Sequence, residues 1–239
     1  MESSAADLTA KVLRHERAVI ACTVALLAAL GWAYLLRDMP MHGMEPPLKA
    51  LIAMWWLMML AMMLPAATPA ILLYARVRRT RGGDAVIAQT WVFVAGYLAV
   101  WLAFSIAAAL MQSAFADSSM RLSGSVATSL LLILAGAYQL SPFKSACLSQ
   151  CRTPAQFISR HWRAGWDGAI RLGVLHGAYC VGCCWLLMAL LFVGGVMNLA
   201  WIALLALLVA AEKLLPGGRR VGQAAGLAFI AWGAWVAFA

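Results

Sequence analysis

Charge is scarce in this sequence. Only 11% of its 239 residues are Asp, Glu, Lys or Arg, and 64% are hydrophobic. A soluble domain carries about 25% charged and about 45–50% apolar residues. A water-soluble fold of this length could not hide so much apolar surface, whereas a helix bundle in lipid has no need to. Acidic residues are the scarcest charges, nine against eighteen Lys and Arg, and there are only four histidines. With no carboxylate pair and no His-rich cluster, little supports an oxygen-activating metal site. No Gly-rich phosphate loop ending in Lys-Ser or Lys-Thr occurs, and no GxSxG nucleophile motif. No internal repeat is evident, which removes the main support for an inverted-repeat transporter. The net charge of +9 does not indicate nucleic acid, because the basic residues lie in short clusters between apolar runs.

What the chain has in quantity is apolar runs of membrane-spanning length. Seven can be counted, near 17–36, 50–74, 86–111, 123–141, 168–196, 198–215 and 220–238. The fourth is short, so six spans are the alternative count. The first is about as long as a bilayer-crossing helix needs and is read as a retained span, not a cleaved leader. The expected fold class is all-α: one transmembrane domain over 1–239, a polytopic helix bundle. With the N-terminus in the cytoplasm, fourteen of the eighteen basic residues fall on the inner side, among them Lys144 and Arg152 in the long loop after the fourth run and Lys213 at the inner end of the sixth. That asymmetry sets the expected orientation. A multi-pass protein of a bacterial inner membrane, with the lipid bilayer as its first partner, is the expected location.

Two smaller expectations concern shape. In the long loop, Pro154 followed by AQFISRHW predicts a short interfacial helix with Phe157, Ile158 and Trp162 toward lipid. Pro65 and Pro69 each remove a backbone donor from the second span, which predicts a kink or local unwinding there. Lys213 is expected to snorkel to the interface.

The chemistry-bearing residues are sulfur and imidazole. HGAYCVGCCW places His176, Cys180, Cys183 and Cys184 within ten residues. On a helix His176, Cys180 and Cys183 are spaced i, i+4, i+7 and share a face, with Cys184 one step around. Thiolate and imidazole suit copper and zinc. Small residues packing between lipid-embedded helices are the competing explanation. The second span presents Met54, Met58 and Met62 as a stripe, with Met59 and Met63 beside it. Thioethers are neutral, soft ligands that suit Cu(I), although a methionine stripe also serves as adaptable packing. The connection RDMPMHGMEPP holds Met39, Met41, His42 and Met44 within six residues, a pattern suited to copper capture. CLSQC supplies Cys147 and Cys151, which face one way if helical and could bind metal, form a redox pair or accept lipid. Few of these cysteines fall where a disulfide framework would put them, and thiols on a cytoplasmic face stay reduced. Glu212, inside an apolar run, could face the bundle as a supporting or proton-handling group. From outside to inside, the expected topology orders these groups as a ladder: MPMHGM, the span-two methionines, His176 with its cysteines, then CLSQC.

The segments MWWLMMLAMMLPAATP, YQLSPFKSACLSQCRTP, GAYCVGCCWLLMALLFVGGVMN and AEKLLP resemble a bacterial family of integral membrane proteins predicted to bind metal and otherwise of unknown function. The likeness runs from about residue 50 to 215. It implies a polytopic membrane protein with a metal site, and it directs attention to Glu212 and Asn198 without giving them roles. The sequence therefore leads to an integral membrane protein that binds a soft transition metal, copper before zinc, for transport or for delivery to a metallochaperone or metalloenzyme partner. The rival expectations are a membrane-embedded metal-dependent oxidoreductase and a thiol redox protein.

Overall fold

The computed structural model describes residues 2–38, 47–82, 84–115 and 124–238, with side chains described for 17–37, 47–82, 84–114 and 124–238. Ten helices make up the described chain: α1 Glu2–Asp38, α2 Leu48–Thr80, α3 Val86–Phe115, α4 Ser125–Leu140, α5 Pro142–Arg152, α6 Pro154–His161, α7 Gly165–Ala189, the single turn α8 Leu191–Gly194, α9 Leu199–Leu214 and α10 Gly218–Phe238. The fold is all-α, as expected.

Five of these segments are long and apolar enough to cross a membrane: Arg17–Arg37, Leu48–Thr80, Val86–Ala114, Gly165–Gly194 and Gly218–Phe238. A sixth is available if α4 and α5 count as one span bent by 62°. The bend has a local cause. Ser141 leaves the helix and accepts a hydrogen bond from Lys144 N at 3.1 Å, and Pro142 opens α5 at a position where its missing donor costs nothing. The sixth expected run corresponds to α9, which has 16 residues. At about 1.5 Å per residue it covers about 24 Å, short of the roughly 30 Å hydrocarbon core. Its start is fixed by Asn198, whose side chain accepts from Trp201 N at 3.2 Å. Leu26, Leu30 and Leu36 of α1, Leu130 and Leu134 of α4, and Leu227, Trp235 and Phe238 of α10 are exposed. Apolar side chains on the outside of so many helices are what lipid contact requires.

Two tight seams organise the bundle. α7 packs most closely on α3, where a Cβ on Gly173 would lie 2.0 Å from Phe93 O and one on Gly96 would lie 2.5 Å from Ile170 O. Only glycine lets these backbones approach so near. α4 and α10 form the second seam, with Gly136 against Gly226 and Ser129 Oγ donating to Gly233 O at 2.7 Å. α2 lies against α1 and α3, and α5 lies across α7.

α2 remains helical through Pro65 and Pro69, so local unwinding does not occur there. One expectation about shape fails. The α6 helix forms where expected, but Phe157 and Ile158 point into the bundle, not to lipid, and are 0% and 2% exposed. The reason is that α6 packs on α2 and α5 and turns Phe157 toward the middle of α7. Phe157 fills the space beside His176 and Tyr179, with ring centroids 5.3 and 5.9 Å away, while Trp162 settles against Tyr74 at 5.6 Å.

Candidate metal centre

His176, Cys180, Cys183 and Cys184 are buried on the inner face of α7, as their helical spacing requires. The glycine seam with α3 brings Tyr97 to this face, and its hydroxyl lies 3.1 Å from Cys180 Sγ. The same hydroxyl donates to Met63 O at 3.3 Å, so Tyr97 ties the thiol helix to the methionine helix. Cys183 Sγ donates to Cys180 O at 3.1 Å, and Cys184 Sγ donates to the same carbonyl at 2.9 Å.

A further thiol reaches the cluster from outside α7. Cys151 of α5 is a neighbour of Cys180 and Cys183 where α5 packs on α7. Cys147, one turn earlier, lies over Gly182, where a Cβ would stand 3.0 Å from its sulfur. Both cysteines of CLSQC therefore face α7, as a helix requires of i, i+4 partners. This corrects the ladder: the two inner rungs are one cluster, because the 62° bend after α4 lays α5 across α7.

The charges around the cluster depart most from expectation. Lys213 does not snorkel; it is 8% exposed, and its Nζ donates to Cys180 Sγ at 2.9 Å. Lys144 is not in an aqueous loop either. It is 2% exposed, and its Nζ donates to Glu212 Oε2 at 2.5 Å and to Gln139 Oε1. Glu212 also accepts from Gln139 Nε2 at 2.6 Å. Arg152 closes this end of the molecule, donating to the carbonyls of Glu212, Leu215 and Pro216 at 3.1, 2.8 and 2.9 Å. Glu212 is thus inside the bundle, one residue from the lysine that touches a cluster thiol. Asn198 is exposed and caps α9, which is the role the structure gives it.

Met54, Met58, Met59, Met62 and Met63 are all buried in the apolar core. α2 meets α3, α1 and α9 more than it meets α7, and Tyr97 is the hydrogen-bonded link between the two sulfur-bearing helices. Met39, Met41, His42 and Met44 lie outside the described residues.

Among the described residues no group of three or more His, Cys, Asp or Glu side chains stands arranged to hold a metal ion. The hydrogen bonds explain why. Cys183 and Cys184 are turned back onto a carbonyl, and Cys180 is engaged by a phenol and an ammonium. The donor chemistry nevertheless fits a soft ion. Cys180 and Cys183 neighbour His176, whose buried Nδ1 has no hydrogen-bond partner. Its ring is walled by Phe93, Tyr97 and Phe157 at centroid distances of 6.0, 5.7 and 5.3 Å. A buried polar nitrogen without a partner is costly unless something else satisfies it. Rotating the thiols of Cys183 and Cys184 about their side-chain torsions is a small change that exchanges weak S–H bonds for coordination.

Sequence reasoning passed over Tyr97, Lys144 and Lys213 as members of this site. The available signal was two lysines placed beside apolar segments that also carry Gln139 and Glu212, a pattern that buried pairing explains as well as snorkelling does.

Residues 52–236 match the family model PpoB2, described as a copper chaperone. Neither the curated proteins nor the solved structures contain a match.

Proposed function

This chain belongs to the PpoB2 copper chaperone family, and from that premise we propose that it is a multi-pass membrane protein that takes Cu(I) as cargo on its buried thiol cluster and passes it to a partner. The observation that carries the reading is the meeting of Cys151 with Cys180 and Cys183, from two helices, beside the unpartnered Nδ1 of His176. Two of these thiolates, with His176 as a further donor, would hold the ion, because soft thiolate selects Cu(I) over the harder ions. Cys147 lies at the half-buried edge of the cluster, a position suited to transfer. The methionines Met54, Met58, Met62 and Met63 would supply a neutral, weaker set of soft contacts on the other side of Tyr97, and Met39, Met41, His42 and Met44 an external point of capture. Glu212 supports the site from behind, by holding Lys144 and Gln139. The bacterial inner membrane, the cytoplasmic N-terminus and a metalloenzyme or metallochaperone partner complete the reading.

Elemental analysis of the purified full-length protein loaded with Cu(I) under reducing conditions tests it. Copper bound by the wild type and lost when Cys180, Cys183 and Cys184 are replaced together by Ser is the expected result. Unchanged stoichiometry in that variant would sink it.

One observation favours a second reading. Cys151 neighbours Cys180 and Cys183, and a disulfide between them would form with loss of two protons and two electrons to an acceptor such as a membrane quinone. Replacement of Cys151 by Ser should then trap a mixed disulfide with a partner. Full activity without any such adduct argues for the metal.

A further inference from the structure

The acidic and basic side chains buried among the described residues are Lys144, Glu212 and Lys213. Their charges do not cancel. Glu212 is committed to Lys144 and Gln139 at 2.5 and 2.6 Å. Lys213 follows Glu212 in the chain but turns the other way, to Cys180 Sγ at 2.9 Å. Buried charges need partners of opposite sign. No carboxylate is left for Lys213, and what its ammonium meets instead is the sulfur of Cys180. The negative charge that balances it must come from the thiol cluster.

This sets a limit on what the cluster can hold in a low-dielectric interior. A soft monovalent ion on two thiolates forms a complex of charge minus one, which Lys213 brings to zero. The same ion on three thiolates leaves a net negative charge. A divalent ion on two thiolates is neutral by itself and leaves Lys213 uncompensated, so a two-thiolate site beside this lysine disfavours it.

We propose that Lys213 is the fixed counter-cation of the metal–thiolate complex and that it matches the cluster to a soft monovalent ion held by two thiolates. The inference rests on the copper reading of the cluster and adds to it a residue that selects for the charge of the cargo. Lys213 touches no metal in this scheme; it acts through the field at the sulfurs, and arginine in its place supplies the same charge.

The test uses the full-length protein in nanodiscs, reduced, titrated separately with Ag(I), a redox-stable monovalent probe, and with Cd(II). Lys213→Gln should weaken Ag(I) by about tenfold or more, since one unit charge beside the sulfurs is removed from a poorly screened site. Cd(II) should weaken less than Ag(I) or tighten. Lys213→Arg should hold both metals near wild-type affinity. The proposal is overturned if Lys213→Gln binds Ag(I) as the wild type does, if it loses both metals by the same factor, or if Lys213→Arg fails as badly as Lys213→Gln. X-ray absorption of the copper-loaded wild type gives a measurement that no variant's folding can obscure. Two sulfurs per copper support the charge match, and three or four overturn it. A wild type that binds neither Ag(I) nor Cu(I) removes the copper reading and the counter-cation with it, whereas a wild type that binds both with no dependence on residue 213 removes the counter-cation alone.

Discussion

The chain has two sulfur-rich helix faces, and they are built differently. On α2, five methionines lie in the apolar core among other hydrocarbon side chains. On α7, every thiol of the cysteine cluster has a polar contact: Cys180 with Tyr97 and Lys213, Cys183 and Cys184 with a carbonyl. The methionine face is what flexible packing looks like. The cysteine face is enclosed by charge, a phenol and an imidazole with a free nitrogen, groups that are expensive to bury and that packing alone does not call for. Sulfur density alone did not separate the two; the polar company of the sulfur does.

The largest expected effect tests that contrast directly. Replacing Met58, Met62 and Met63 together by Leu should leave most of the Cu(I) stoichiometry intact, in contrast to the loss expected from the cysteine triple variant. Elemental analysis of the two proteins in parallel decides it, and equal losses would erase the distinction between the faces.

A second variant separates the faces by stability. Glu212→Gln leaves the buried Lys144 without its anion, and breaking a buried pair in this way costs about 3–5 kcal/mol. Met59→Leu, a swap of similar volume in the methionine face, should cost less than about 1.5 kcal/mol. Chemical unfolding in detergent, followed by far-UV circular dichroism, measures both. A Glu212→Gln protein as stable as Met59→Leu would mean that the ion pair does not hold α4, α5 and α9 together.

Tyr97→Phe examines the link between the faces. It removes a hydroxyl that contacts both Met63 O and Cys180 Sγ, and a hydrogen bond of this kind contributes about 1 kcal/mol. A small loss of stability is expected, together with an altered ultraviolet thiolate–copper charge-transfer band, because the sulfur has lost a neighbour. A band identical to that of the wild type would show that Tyr97 binds the helices without touching the site.

Asn198→Ala should give the smallest effect, about 1 kcal/mol from the lost cap of α9, with unchanged metal content. A loss of copper in this variant would give Asn198 a role beyond the capping seen here.

Much of this architecture was legible in the residues. Apolar length and the distribution of basic residues indicate a helical membrane bundle, and the structure is all-α with five or six candidate spans. The grouping of His176, Cys180, Cys183 and Cys184 follows from 3.6 residues per turn. The arrival of Cys151 beside them was not legible, because it depends on the bend at Ser141 and Pro142 and on where α5 then lands. Phe157 and Ile158 were misread for a related reason. An apolar stripe on a short helix has the same pattern whether it meets lipid or protein.

The sequence by itself determined the helices, the side chains that share each face and the excess of soft ligands, because these depend on local geometry and composition. Only the tertiary structure decided which faces meet, and with that the destinations of Lys144 and Lys213. A lysine near the end of an apolar helix can reach outward to water or inward to an anion. The chain around it is nearly the same in both cases. The choice rests on a carboxylate and a thiol brought from other helices, and their distance is set by packing.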